Sequence, residues 1–215
     1  MNRLLLVFVL LIACRAQDQH PATKREIAPV MGAQGADWLT RPEREAEEHP
    51  GVALDEIGIK KGSTVADIGA GNGFYSILLA ERVGPNGKVY ANDIQPEMLT
   101  LLKQRVREHG FKNVIPVLGA EDDPNLPAGG IDVALLVDVY HEFSKPQGMI
   151  RKLRESLKPD GRLVLLEFRA EDPRVPIRPE HKMTVNQVRA EIEPEGFKLI
   201  KLSEKLPWQH LLIFG

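Results

Sequence analysis

Val65-Ala66-Asp67-Ile68-Gly69-Ala70-Gly71-Asn72-Gly73-Phe74 is the stretch on which the fold turns. Thr64 to Ile68 is β-branched and apolar enough for a buried strand, and glycines at every second position then bring the backbone to places where Cβ atoms would collide with a ligand. Ser76, Ile77, Leu78, Leu79, Ala80 and Val83 predict a helix directly after the loop. Its first free N–H groups point at whatever the loop holds and favour a negative group. A second strand, Lys88 to Asn92, delivers Asp93 at its C-terminal end, where a carboxylate suits two ribose hydroxyls. Strand, glycine loop, helix, strand and acid describe a site for a nucleoside-bearing cofactor. A dinucleotide fingerprint places its third glycine one position later, where Phe74 stands, so the spacing argues against NAD.

The rest of the chain reads as one doubly wound α/β domain. Met98, Leu101, Leu102 and Val106 recur at helical spacing between Gln95 and His109, and Gly110 is a natural stop. Val114 to Leu118 is a third strand, and Ile131 to Val137, apolar apart from Asp132, suits a central strand covered on both faces. Ser144 and Pro146 open a helix through Leu157, Pro159-Asp160-Gly161 ends it, and Leu163 to Phe168 is the fifth strand. After a helix near Val185 to Ile192 come strands at Phe197 to Leu202 and His210 to Phe214. Their short connection, containing Pro207, cannot make a parallel crossover. The expectation is a Rossmann-like, mainly parallel seven-stranded sheet with a C-terminal antiparallel hairpin, spanning residues 51–215.

These motifs resemble those of the class I S-adenosylmethionine-dependent methyltransferases, of the small-molecule kind that includes the quinone-biosynthesis methyltransferases. The resemblance covers Val52 to Gly215 and is specific to the family, not to a substrate. It implies that Asp67 and the backbone at Gly69, Gly71 and Gly73 hold the methionine part of S-adenosylmethionine, that Asp93 binds the ribose, and that Ile94 packs on the adenine. Glu121-Asp122 matches the place of an acidic group near the adenine amine. Ala120 stands where a Gly-Asp-Ala version would carry its acid, so the contact is open between Glu121 and Asp122.

Chemistry belongs where the fourth strand ends, at Asp138-Val139-Tyr140-His141-Glu142-Phe143. Methyl transfer from a sulfonium needs an aligned nucleophile, a dry pocket and sometimes a base. His141 is the best base on offer, with Asp138 or Glu142 to orient it, and Tyr140 is expected to pack beside the cofactor. The run lacks the Asn/Asp-Pro-Pro-Tyr/Phe motif of amino-group methyltransferases acting on DNA or protein amides. It shows no set of metal-ligand carboxylates, so no metal is expected, and the implied acceptor is a small molecule.

Residues 27–50 are expected to form a lid over the site. Thr40 and Glu43 suggest a capping box opening a short charged helix, Met31 and Trp38 offer apolar cover, and Arg41 and Arg44 suit an acidic substrate. Upstream, Arg3, the apolar run Leu4 to Ile12, Ala13 and Cys14 resemble a bacterial lipoprotein signal with Leu11-Ile12-Ala13-Cys14 as lipobox. The run is right for a signal h-region and too short to span a bilayer comfortably. The reading is signal peptide 1–13, a polar tether over 14–26, and anchoring to a cell-envelope membrane surface through lipidated Cys14. Cys14 is the only cysteine, so no internal disulfide can form. Envelope placement conflicts with cytosolic synthesis of the cofactor, which leaves two readings: an active methyltransferase, or a lipoprotein that binds a nucleoside-like ligand without transferring a methyl group. A formal charge of −2 over 215 residues, with no basic stripe, argues against nucleic acid as a partner.

Overall fold

The computed structural model describes residues 19–215. The elements run α1 (Arg44–Glu48), α2 (Pro50–Ile57), β1 (Thr64–Ile68), α3 (Phe74–Val83), β2 (Lys88–Asp93), α4 (Pro96–Glu108), β3 (Val114–Leu118), β4 (Ile131–Val137), α5 (Pro146–Ser156), β5 (Leu157–Phe168), α6 (Val185–Ile192), β6 (Leu199–Ser203) and β7 (Gln209–Phe214). One seven-stranded sheet has the order β3-β2-β1-β4-β5-β7-β6. β1 to β5 are parallel, and β7 runs antiparallel to both β5 and β6. β1 therefore lies at the reversal of strand order, where the crevice beyond the strand ends is widest.

Strict alternation along the inner strands builds two cores. Val65, Val133, Leu135, Val164 and Leu166 pack on one face with residues of α2, α3 and α4. Ala66, Ile68, Ala134, Leu136, Leu163 and Leu165 pack on the other with Met149, Ile150 and Leu153 of α5 and Val188 and Ile192 of α6. Period-two side chains and burial of both faces explain why β4 is apolar from Val133 to Val137; Asp132, near its start, accepts from the Thr64 N–H and the Lys158 ammonium. No described helix is long and apolar enough to cross a membrane.

Two local expectations are corrected. The fifth strand starts at Leu157, because Pro159-Asp160-Gly161 is carried as an irregularity beside β4, with the register shifting between Ile131 and Val133. The Thr40–Glu43 capping box does not form. Ala33–Thr40 is a 3₁₀ helix, the Thr40 hydroxyl turns back to the Asp37 carbonyl, and the next helix begins at Arg44. Thr184 and Gln187 instead make a complete capping box at α6.

Residues 19–26 do not behave as a tether. Gln19 bridges Glu26, and His20 and Arg25 are buried. Arg25 donates from Nε and Nη2 to the Glu191 carboxylate at 3.1 and 3.0 Å, and Thr23 Oγ1 donates to the same group. Polar residues were taken in by the fold because Glu191, fully buried on α6, requires compensating donors. The proposed signal peptide and Cys14 lie outside the described residues. Arg25→Met should lower unfolding free energy by about 3 kcal/mol, since it strands a buried carboxylate, whereas Arg25→Met with Glu191→Leu should cost much less. Denaturant titration of both variants measures the difference.

Candidate active site

The glycine loop is shaped by three left-handed residues, Gly69, Gly71 and Gly73, with φ of 67°, 55° and 88°. A Cβ on Gly69 would stand 2.3 Å from Val139 Cγ2, and one on Gly71 would stand 2.5 Å from Leu39 Cδ1. The loop is thus clamped between the end of β4 and the 3₁₀ helix that precedes α1. Gly71 N–H donates to Asp93 Oδ2 at 2.9 Å, and Gln95 N–H donates to Asp93 Oδ1 at 2.9 Å. Asp93, so held, lines the cavity. Burial pushes the Asp93 carboxyl up, opposed by the Gln95, Gly71 and Ile94 amides.

The cavity lies beyond the C-terminal ends of β1, β2 and β4. Its loop side is Gly69, Gly71, Asp93 and Ile94; its apolar cover includes Met31, Leu39, Phe143 and Phe168; its polar groups include Asp138 and Glu142. Of the expected acidic pair after β3, Glu121 reaches the wall, while Asp122 does not; both face the Lys145 ammonium, at 3.2 and 3.7 Å. Neither Gly73 nor Asp67 lines the cavity. Asp67, on β1, accepts from the Ser76 hydroxyl of α3 at 2.6 Å.

The chemical run is rearranged more deeply. His141 is oriented by neither Asp138 nor Glu142: its Nδ1–H donates to Glu167 Oε2 at 2.6 Å, and its Nε2 faces His181 Nδ1 at 3.1 Å. Glu167 also accepts the Tyr140 N–H at 3.0 Å. Tyr140 is fully buried beneath Phe143 and is not part of the cavity wall. Asp138, at φ 49°, accepts from Gln209 Nε2 at 2.6 Å, while its second oxygen is buried without a partner. Burial, with Glu48 and Glu167 nearby, holds the Asp138 carboxyl well above the usual range. Glu142 is the group of this run that combines a carboxylate with a place beside the apolar cover. Burial pushes its carboxyl up to about 7, against the pull of His141.

Glu167 and His181 were missed in the sequence. A lone acid inside the apolar run Leu163 to Phe168 was the available signal for Glu167; nothing in the sequence brings His181 to His141. Arg41 and Arg44, expected to meet an acidic substrate, are already paired. Arg41 Nη2 reaches Glu48 Oε1 at 3.1 Å and also binds Glu47, and Arg44 Nε reaches Glu48 Oε2 at 2.7 Å. The Arg44 guanidinium also lies over the Phe74 ring, 4.4 Å from its centroid. Trp38 is about half exposed beneath Arg41, whereas Met31 faces the cavity and its carbonyl accepts from Gln95 Nε2.

The profile of a family described as a methyltransferase domain matches residues 59–209. Over 116 residues the chain is 28% identical to the ubiquinone/menaquinone biosynthesis C-methyltransferase UbiE of Hahella chejuensis, covering 54% of this chain and 47% of that protein. It is 32% identical over 125 residues to the protein-L-isoaspartate O-methyltransferase of Aeropyrum pernix, covering 54% and 44% respectively. The chain thus spans about half the length of such relatives. Among solved structures, a SAM dependent methyltransferase from Aquifex aeolicus superposes with a TM-score of 0.82 at 29% identity, over 86% of this chain and 98% of that one.

Burial raises the Asp67 carboxyl from 3.8 to about 6, with the Ser76 hydroxyl opposing the shift. Between these values the folded chain holds a proton that the unfolded chain has released, so this group's contribution to stability falls as pH rises through about 6. Asp67→Asn keeps an acceptor for Ser76 and removes that loss. The variant should gain on the parent chain by up to about 3 kcal/mol between pH 4 and pH 7, read from denaturation midpoints across that range.

Proposed function

This chain belongs to the methyltransferase-domain family, and we propose that it is an S-adenosylmethionine-dependent methyltransferase acting on a small molecule. The observation that carries the reading is the joint formed by Gly71 and Asp93, a backbone cradle closed to Cβ atoms beside a buried carboxylate that lines the cavity. The cavity fits the cofactor in a further respect. Asp138, which lines the cavity, has a buried carboxyl oxygen without a partner, which suits a cationic ligand group such as an ammonium.

When bound, S-adenosylmethionine supplies an electrophilic methyl group on a sulfonium. Asp93 would accept hydrogen bonds from the ribose hydroxyls, Ile94 would pack against the adenine, with Glu121 near its rim, and Asp138 would accept from the ammonium. Gly69 and Gly71 keep the backbone within reach, and Met31, Leu39 and Phe143 exclude water above it. The acceptor would lie on the apolar side beside Phe168 and Glu142, where Glu142 takes the proton released from the nucleophile. His141, turned into the Glu167–His181 pair, acts as a positioning residue rather than the base. The quinone-biosynthesis relative makes an apolar, ring-bearing acceptor the class that best suits this wall.

Gly71→Val and Asp93→Ala should each weaken binding of S-adenosylmethionine and S-adenosylhomocysteine at least tenfold in folded protein, as calorimetric titration would read. Unchanged affinity in both variants would overturn the reading.

The same proposal places the domain at a membrane surface of the cell envelope through a lipid on Cys14. Only residues 15–18 would separate that cysteine from the packed segment beginning at Gln19, a reach of roughly 18 Å for a fully extended chain. Mass spectrometry of the N-terminus from the native host should find acylated Cys14; an unmodified Met1 would refute the anchor.

A further inference from the structure

His141 and Glu142, on the 3₁₀ turn Tyr140–Glu142, and His181, on the turn Pro179–His181, bring three potential ligand atoms to within 4.8 Å of one another. His141 Nε2 and His181 Nδ1 are 3.1 Å apart, and His181 Nδ1 lies 3.9 Å from Glu142 Oε1. Ligand atoms bound at about 2.0–2.1 Å to one tetrahedral or octahedral ion stand roughly 3.0–3.4 Å from each other. The two imidazoles already have that spacing, and Glu142 needs to move by only a fraction of an ångström to roughly one ångström to join them.

We propose that His141 Nε2, His181 Nδ1 and a Glu142 oxygen bind a divalent transition-metal ion of the zinc or ferrous class at the acceptor end of the cavity. Glu167 supplies what a metal-binding histidine needs behind it. Its buried carboxylate accepts the Nδ1 proton of His141, which fixes the tautomer and leaves the Nε2 lone pair directed at the cluster. Without an ion, His181 Nδ1–H donates to that lone pair. With an ion bound, the His181 proton resides on Nε2, exchanged through solvent that this partly exposed ring can reach. Two imidazoles and one carboxylate select zinc, ferrous iron, cobalt or nickel over magnesium and calcium, which prefer oxygen ligands.

Three protein ligands leave at least one coordination position open, and Glu142 places the site at the cavity wall. Use of that position on an acceptor oxygen rests on the methyl-transfer reading. There the ion would polarise a hydroxyl whose proton passes to the uncoordinated oxygen of Glu142, and the resulting oxyanion would displace the methyl group from sulfur. Ion binding itself does not rest on that reading.

The test is metal uptake by the full chain. Zinc content after dialysis should approach one ion per chain, and cobalt(II) should give visible d–d absorption that zinc abolishes. His181→Ala and, independently, Glu142→Gln should each weaken cobalt binding at least tenfold while S-adenosylmethionine affinity, measured on the same samples, stays within twofold. Absence of stoichiometric uptake by the parent chain, or equal uptake by both variants, would overturn the metal site. Loss of cofactor binding in the parent chain with metal uptake intact would overturn the methyltransferase reading alone.

Discussion

Asp93 ties the glycine loop to the end of β2 by taking the Gly71 N–H on one oxygen and the Gln95 N–H on the other. A carboxylate buried to this degree is costly unless its lone pairs are used, and backbone donors use them without adding a charge. The loop can meet Asp93 only because Gly69, Gly71 and Gly73 all accept left-handed backbone. Val139 at the end of β4 and Leu39 of the 3₁₀ helix then close on the space that missing Cβ atoms leave. Sheet, loop and N-terminal segment are in this way held to a single geometry.

The segment before β1 belongs to the site as fully as the strands do. Asn72 donates to the Ala36 carbonyl, Gln95 to that of Met31, and Arg44 to that of Leu39, so loop, α4 and α1 each grip the 3₁₀ helix or the chain before it. Arg25 performs the same task lower down. It pairs with Glu191 and also donates to the His141 carbonyl, which the Ala28 N–H shares. One buried arginine therefore connects the chain's N-terminal side to α6 and to the turn that carries the chemical residues.

Charge is concentrated where the cavity closes. Arg41 and Arg44 meet Glu47 and Glu48 on its cover, while Asp138, Glu142 and Glu167 gather at the end of β4 and β5. Burial raises the affinity of Asp138 and Glu142 for protons, and neighbouring buried acids add to the effect. Such a cluster is suited to receiving cationic groups, whether the ammonium of a cofactor or a metal ion.

Local pattern was enough to read the parallel strands, the glycine loop, Asp93 and the C-terminal antiparallel pair. Each is encoded by residues close in sequence: β-branched and apolar residues in β1, the apolar run of β4, glycine spacing after Ile68, a connection between β6 and β7 too short for a crossover. The partners of His141 were not legible in this way. Glu167 and His181 reach it from β5 and from a later turn, across separations at which sequence spacing carries no distance information. The same limit hid Arg25, whose polar neighbours read as a solvated tether until Glu191 on α6 drew them inward. Backbone geometry and hydrophobic period are local properties and were determined by the sequence directly; the pairing of buried charges depends on which strand ends and turns the sheet brings together, and only the tertiary structure decided it.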